Sequence, residues 1–260
     1  MRKIASDRVV IKIGTSTLTT DEGHLNEELI ATLAATISEL KQSGKQVILV
    51  TSGAIGAGRA KLGLNHRPTL IPEKQAVAAV GQSLLMGVYD KYFGDHDIAV
   101  GQILITKNCI ENTNLYGNAI NTLNTLLNMN IVPIVNENDT IAVDEIIFGD
   151  NDTLAAHVAT MTNANLLIIL SDIDGLYDRN PSEEGAKLLL NVGKLTEELI
   201  QAAGDSKSDF GTGGMRTKIT AAKIASLNGT NTVIMNGTNP EKIKDLLEGA
   251  EIGTYFDLRE

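Results

Sequence analysis

Short runs of β-branched and aliphatic residues alternate with longer helical patterns along this 260-residue chain, and that alternation limits the possible folds most. Six runs are predicted as strands: residues 9–13, 46–50, 98–104, 131–135, 166–170 and 232–235. They are nearly continuous in Val, Ile and Leu, as is typical of strands covered on both faces. Strands that alternate with helices favour right-handed crossovers and parallel pairing. We therefore predict an α/β fold, a three-layer αβα sandwich around a central, mostly parallel sheet.

Helical patterns fill the intervals between these runs. The first carries Leu29, Leu33, Ile37 and Leu40 on one face, with Asn26 as a candidate N-cap and Gly44 as a candidate C-cap. Further helices are predicted over residues 73–92, 112–129, 153–161, 215–227 and 240–247. We find no repeat and no linker, so a single domain is expected.

Composition excludes several classes of protein. Asp and Glu number 32 against 22 Lys and Arg, and only 3% of residues are aromatic, so general nucleic-acid binding is not expected. The single cysteine, Cys109, cannot build a disulfide framework or a cysteine-based metal site. Because the sequence shows neither a signal peptide nor an apolar run of roughly 20 residues, we expect a cytoplasmic protein without membrane contact.

Two clusters of acids and amides follow one another between the fourth strand and the next helix. The first is Asn136, Glu137, Asn138 and Asp139, and the second is Asp150, Asn151 and Asp152. Such side chains at a strand end and a helix start suit a small polar ligand that carries an ammonium group. A short hairpin is predicted between the clusters, over residues 140–148.

Two lysines lie next to glycine-containing turns. Lys12 lies inside an apolar strand that is followed by Gly14, and near the carboxyl end of that strand it would serve as a phosphate clamp. Lys218 lies in the first turn of a helix that follows the glycine-rich residues 211–214. The surrounding loop, residues 204–214, is a candidate lid.

The two lysines indicate phosphoryl transfer, in which the main requirements are positioning and charge neutralisation. An acid between them would keep them apart and oriented, and Asp150 is our candidate. The turn at Ser52–Gly53 is a candidate anion site, and the strand end at Ser171 and Asp172 is a candidate site for a nucleotide base and ribose. The chain contains neither a Walker A loop nor the G-x-G-x-x-G fingerprint.

Six segments together resemble the bacterial glutamate 5-kinases of the amino acid kinase superfamily, and the resemblance covers the whole chain. They read VIKIGTSTLT, VTSGAIGAG, VNENDT, GDNDTLAA, SDIDGLY and GTGGMRTK. The resemblance implies the amino acid kinase fold and transfer of the γ-phosphoryl group of ATP to the side-chain carboxylate of L-glutamate, the first step of proline biosynthesis. It also implies Mg²⁺ bound mainly through ATP, feedback inhibition by L-proline, and a homodimer or homotetramer.

The resemblance also implies residue roles. Lys12 and Lys218 would stabilise the transferring group, with Asp150 organising them, and Ser52, Asp139 and Asn151 would bind glutamate. ATP would contact Lys12, Ser171, Asp172, Thr212, Gly213, Gly214, Met215, Arg216, Thr217 and Lys218. No residue is expected to be a dedicated metal ligand. The chain would form one kinase domain over residues 1–260, with a glutamate-binding lobe to about residue 165, an ATP-binding lobe from about residue 166, and no C-terminal PUA domain.

Two alternatives stay open. The first is a sister kinase that acts on another carboxylate, such as N-acetylglutamate or aspartate. N-acetylation removes the ammonium, so the acidic cluster around Asp139 favours free glutamate. The second is a non-catalytic amino-acid sensor on the same fold, which the joint presence of Lys12, Asp150 and Lys218 disfavours.

Overall fold

The computed structural model describes residues 4–20, 22–142, 151–202 and 214–258. Its strands form one sheet in the order β3-β4-β2-β1-β5-β7-β8-β6. They are β1 (Arg8–Ile13), β2 (Gln46–Val50), β3 (Val100–Ile105), β4 (Val132–Glu137), β5 (Leu166–Ser171), β6 (Asn191–Val192), β7 (Asn231–Asn236) and β8 (Thr254–Phe256). All neighbouring pairs for which a register is given run parallel except β7 and β8, which confirms the mostly parallel sheet.

Ten helices occur among the residues that the structure describes. They are α1 (Thr15–Leu18), α2 (Glu27–Gln42), α3 (Ala54–Lys61), α4 (Ile71–Gly94), α5 (Lys107–Glu111), α6 (Thr113–Asn128), α7 (Asn151–Met161), α8 (Glu197–Ala202), α9 (Met215–Ser226) and α10 (Lys242–Leu247). The predicted N-cap is confirmed, because the Asn26 side chain accepts a hydrogen bond from the Leu29 N–H at 3.1 Å. The C-cap of α2 is Ser43, and Gly44 follows it with a left-handed φ of 88°. The hairpin predicted over residues 140–148 falls mostly outside the described residues.

Two apolar layers cover the sheet, one on each face. Val10 and Ile169 point to the layer that contains α6, α7 and α9, whereas Val9 and Ile11 point to the layer that contains α2, α4 and α10. Alternation along β1 therefore directs Lys12 to the α7 and α9 side. The three-layer sandwich is confirmed. It places the Lys12 side chain on the face of the sheet that α7 and α9 cover.

Helices α3 and α4 cross at a distance that only glycine permits. A Cβ atom at Gly81 would lie 1.7 Å from the carbonyl oxygen of Ala54, and one at Gly58 would lie 2.0 Å from that of Val77. Both clashes are with backbone, which cannot rotate away. The α3 helix follows directly from Ser52 and Gly53, so this crossing fixes the position of that turn.

We expect Gly81→Ala to lower the free energy of unfolding by about 1–3 kcal/mol, because the two helices must separate. Gly87→Ala in the same helix is the matched control, since a Cβ there meets no atom within 4 Å. The control should be neutral or stabilising by up to about 1 kcal/mol. Urea denaturation measures both variants, and equal stability of the two would contradict the packing argument.

No helix in the described ranges is both long and apolar enough to cross a membrane.

Candidate active site

A buried carboxylate joins two lysines at the centre of the sheet. Asp152, in the first turn of α7, places Oδ1 2.6 Å from Nζ of Lys12 and Oδ2 3.1 Å from Nζ of Lys218. The three residues are 0%, 5% and 7% exposed, respectively. The predicted approach of the two lysines is thus observed, and they meet through one side chain.

Asp152 is ionised in this setting. Burial raises the pKa of its carboxyl group, but the charges of Lys12 and Lys218 and their hydrogen bonds outweigh that effect and lower the pKa to about 2. Within the described residues, two ammonium groups therefore face this carboxylate. Positive charge that is held where water is scarce attracts an anion strongly.

From the sequence we predicted that Asp150 organises the two lysines, and Asp150 lies outside the described residues. The carboxylate that the structure shows between the two lysines is Asp152, for which we predicted no such role. Helical spacing could have identified it, because Asp152, Ala155, Ala156 and Ala159 fall on one face of α7 and all are buried. An acid on the apolar face of a helix requires a buried charge partner.

A hydroxyl group also contacts Asp152. Thr217 Oγ1, one residue before Lys218 in α9, lies 3.0 Å from Oδ2 of Asp152 and 2.8 Å from the carbonyl oxygen of Gly214. Oδ2 therefore has two potential donors, an ammonium and a hydroxyl. Met215 is buried and Arg216 is exposed, whereas Thr212 and Gly213 lie outside the described residues.

The Asn151 carboxamide joins the strand ends of β2 and β4. Its Nδ2 donates to the carbonyl oxygen of Thr51 at 2.7 Å, to Oγ of Ser52 at 2.7 Å and to Oδ1 of Asn136 at 2.9 Å. Its Oδ1 is buried and accepts no hydrogen bond from the described residues. The structure thus brings together the predicted pair Ser52 and Asn151.

Two glutamines that the sequence analysis did not single out continue this arrangement. Asn136 Nδ2 donates to Oε1 of Gln82 at 2.9 Å, and Gln82 Nε2 donates to Oε1 of Gln102 at 3.3 Å. The backbone N–H of Glu137 donates to Oδ1 of Asn136 at 2.9 Å, which fixes the orientation of that carboxamide. Gln82 belongs to α4 and Gln102 to β3, and no local sequence pattern relates these positions to Asn151.

Asp139 lies in the turn after β4. Val135 of β4 pairs with Val50 of β2, so Asp139 and Ser52 follow the ends of neighbouring strands. Burial raises the pKa of the Asp139 carboxyl group to about 6. A cationic ligand beside this carboxyl group would favour its charged form and lower its pKa.

The other predicted site residues follow strands on the opposite side of β1. Ser171 ends β5, where its hydroxyl donates to Oδ1 of Asp172 at 3.0 Å and its carbonyl accepts from the N–H of Gly237 at 2.8 Å. Near them, Asn236 Nδ2 donates to Oδ1 of Asp174 at 3.0 Å. The sheet order β4-β2-β1-β5-β7 therefore separates an acid-and-amide side from a second polar side, with Lys12 between them.

We tested whether protein side chains could hold a metal ion. Within the described ranges, no group of three or more His, Cys, Asp and Glu side chains is placed to do so. Mg²⁺ commonly retains several waters and binds through substrate phosphates with one or two carboxylates.

Comparison with known proteins shows a family match over most of the chain. The model of the amino acid kinase family matches residues 7–236. A glutamate 5-kinase of Clostridium perfringens is 50% identical, with 98% of each chain covered. A glutamate 5-kinase of Listeria monocytogenes is 49% identical, over 96% of this chain and 93% of the relative. A glutamate 5-kinase of Geobacter metallireducens is 50% identical, over 96% of this chain and 67% of the relative.

Solved structures share the fold at low sequence identity. The carbamate kinase from Giardia lamblia bound to AMP-PNP superposes with a TM-score of 0.67 at 20% identity, covering 98% of this chain and 99% of that one. The T. acidophilum isopentenyl phosphate kinase gives a TM-score of 0.65 at 17% identity, with coverage of 95% and 99%. These matches confirm the predicted fold.

Proposed function

Since this chain belongs to the amino acid kinase family and is about half identical to glutamate 5-kinases, we propose that it phosphorylates L-glutamate with ATP. One oxygen of the side-chain carboxylate forms a bond to the γ-phosphorus, and the bond between that phosphorus and the oxygen bridging to the β-phosphate breaks. ADP leaves with the electron pair, and L-glutamyl 5-phosphate forms without net proton transfer. This is the first step toward proline.

The observation that carries the proposal is the contact of Lys12 and Lys218 with one buried Asp152. Phosphoryl transfer spreads negative charge over the oxygens of the moving group, and fixed positive charges stabilise that state without reorganisation. Lys12 sits between the acid-and-amide strand ends and the nucleotide-side strand ends. In this assignment Asp152 takes the organising role.

On the acceptor side, we assign glutamate binding to Ser52, Asn151 and Asp139. Nδ2 of Asn151 is directed at three protein oxygens, and its Oδ1 has no hydrogen-bond partner among the described residues, so we assign Oδ1 as an acceptor for the ligand. That oxygen and the Asp139 carboxylate suit the α-ammonium, which donates three hydrogen bonds. Substrate binding would thereby place a positive charge beside the partly buried Asp139.

On the nucleotide side, we assign ATP contacts to Ser171, Asp172 and the segment from Thr212 to Lys218. Mg²⁺ would enter with ATP, bound mainly by phosphate oxygens and water, and would add positive charge to the phosphates. By resemblance, the lobe up to about residue 165 would bind glutamate and the lobe from about residue 166 would bind ATP. L-proline would compete with glutamate for its binding pocket. The protein would form a homodimer or homotetramer.

A sister kinase for N-acetylglutamate is the second candidate. Its substrate lacks an ammonium, so the partly buried Asp139 would remain uncompensated on binding. Free glutamate therefore fits the site better.

The function is tested by incubating the protein with ATP, Mg²⁺, hydroxylamine and one amino acid at a time. We expect hydroxamate with L-glutamate, and less than about a tenth as much with N-acetyl-L-glutamate, because an unpaired buried charge costs more than about 1.4 kcal/mol. Absence of a glutamate-dependent product would overturn the proposal. A preference for the acetylated substrate would support the sister kinase.

Asp139→Asn should raise the KM for glutamate by about 10-fold or more, because the ammonium loses a charged partner worth roughly 1.5–3 kcal/mol. The free variant should also be slightly more stable than the wild type above pH 6. The folded-state pKa of Asp139, about 6, exceeds the ordinary value of 3.8 for an aspartate, so burial of this charge costs stability as pH rises between those values. Initial rates and thermal unfolding measure the two effects.

The pH dependence provides the control for Asp139. In the wild type, the KM for glutamate should rise as pH falls below about 6, because Asp139 becomes neutral. In Asp139→Asn this component of the pH profile should be absent. Identical profiles for the two proteins would remove Asp139 from the ammonium site.

A further inference from the structure

Thr217 belongs to the residues for which resemblance implies an ATP contact, yet its side chain contacts the protein. Its hydroxyl lies within hydrogen-bond distance of Oδ2 of Asp152 and of the carbonyl oxygen of Gly214. Both partners are acceptors, so the single hydroxyl proton serves one of them at a time. This side chain is directed at the carboxylate beneath the phosphoryl position.

We propose that Thr217 is a positioning residue whose side chain holds Oδ2 of Asp152 and serves the transfer step, which leaves the ATP contact assigned above at this position to its backbone. The inference rests on the proposed phosphoryl transfer and deepens it. Asp152 is fully buried, and each oxygen faces a different lysine. Rotation of the carboxylate would exchange or break those pairs.

Oδ2 of Asp152 needs a second hydrogen-bond donor during phosphoryl transfer. As charge develops on the transferring group, Lys218 is attracted away from Oδ2 toward the phosphoryl oxygens. A buried carboxylate oxygen that loses a donor carries a large desolvation cost. In the ligand-free protein the Thr217 hydroxyl is shared between Oδ2 and the carbonyl of Gly214, the N-cap residue of α9. When Lys218 moves, the hydroxyl donates to Oδ2 alone and offsets that cost.

Steady-state kinetics of Thr217→Val and Thr217→Ser separate this role from an ATP contact. Valine keeps the shape and removes the hydroxyl, so we expect kcat to fall about 10-fold, the effect of one hydrogen bond to a charged group, with KM for ATP unchanged within about 2-fold. Serine should restore most of kcat. A raised KM for ATP with unchanged kcat would overturn the proposal, as would wild-type kinetics in the valine variant.

Thr220→Val is the matched control in the same helix. Thr220 is exposed, and its hydroxyl donates to the Arg216 carbonyl at 3.0 Å, so this change removes a side-chain hydrogen bond to the helix backbone without reaching Asp152. We expect wild-type kcat. A loss of kcat equal to that of Thr217→Val would attribute the effect to the helix and contradict the proposal.

A measurement without substrates keeps this test independent of the proposed activity. Carbon NMR of the Asp152 carboxyl group reports its pKa in the ligand-free protein. A hydroxyl that donates to the carboxylate lowers that pKa, so Thr217→Val should raise it and Thr217→Ser should not. An unchanged pKa in the valine variant would show that the contact does not hold Asp152, whereas a wild type without kinase activity would overturn only the proposed reaction.

Discussion

Asp152→Ala is expected to lower the free energy of unfolding by about 3–5 kcal/mol, because it leaves two buried lysines without the carboxylate between them. It should also abolish measurable glutamate phosphorylation, since the two ammonium groups then repel each other. Lys12 and Lys218 are only 5% and 7% exposed, so water cannot replace the lost carboxylate at low cost. Urea denaturation and initial rates measure the two effects.

The pH dependence gives this prediction a specific sign. The folded-state pKa of Asp152, about 2, is below the ordinary value of 3.8 for an aspartate, so the contribution of Asp152 to stability is present above about pH 4 and is lost as pH falls toward 2. The stability difference between the wild type and Asp152→Ala should therefore narrow over that range. Glu39→Ala is the control, because its ion pair with Lys244 is exposed and should contribute at most about 1 kcal/mol. Equal losses in the two variants would contradict the buried-charge account.

Lys12→Met is expected to reduce kcat by about 10²–10³-fold, the usual effect of removing one preorganised group that stabilises transition-state charge. Methionine fills a similar volume, and Asp152 keeps its contacts with Lys218 and Thr217, so the protein should remain folded. The KM for glutamate should change little, because Ser52, Asn151 and Asp139 are untouched. Lys91→Met, at an exposed lysine paired with Glu27, should leave kcat unchanged. A folded Lys12→Met protein with wild-type kcat would remove Lys12 from the transfer step.

The fold could be predicted from the sequence where a pattern was long and local. Uninterrupted aliphatic runs identified β1 to β5 and β7, and the Asn26 cap located the start of α2. β6 and β8, of two and three residues, were missed because such short strands depend on pairing with each other across sequence. Their order in the sheet is a tertiary property.

From the sequence we predicted which polar residues lie at the strand ends, whereas the contacts between their side chains depend on packing. The requirements of phosphoryl transfer predicted that Lys12 and Lys218 act together, and the family resemblance grouped Ser52 with Asn151. That Asp152 joins the lysines depends on which face of α7 is buried. The chain from Asn151 through Asn136 to Gln82 joins three elements separated by up to 54 residues between successive partners, and no pattern in the sequence indicates it.

The most direct measurement is glutamate-dependent formation of γ-glutamyl hydroxamate by the wild type and by folded Lys12→Met, in parallel, with ATP and Mg²⁺. We predict product with the wild type and at most about 1% of that rate with the variant, as expected for the loss of one stabilising charge. No product with the wild type, or equal rates for the two proteins, would contradict the claim that this chain phosphorylates glutamate at Lys12, Asp152 and Lys218.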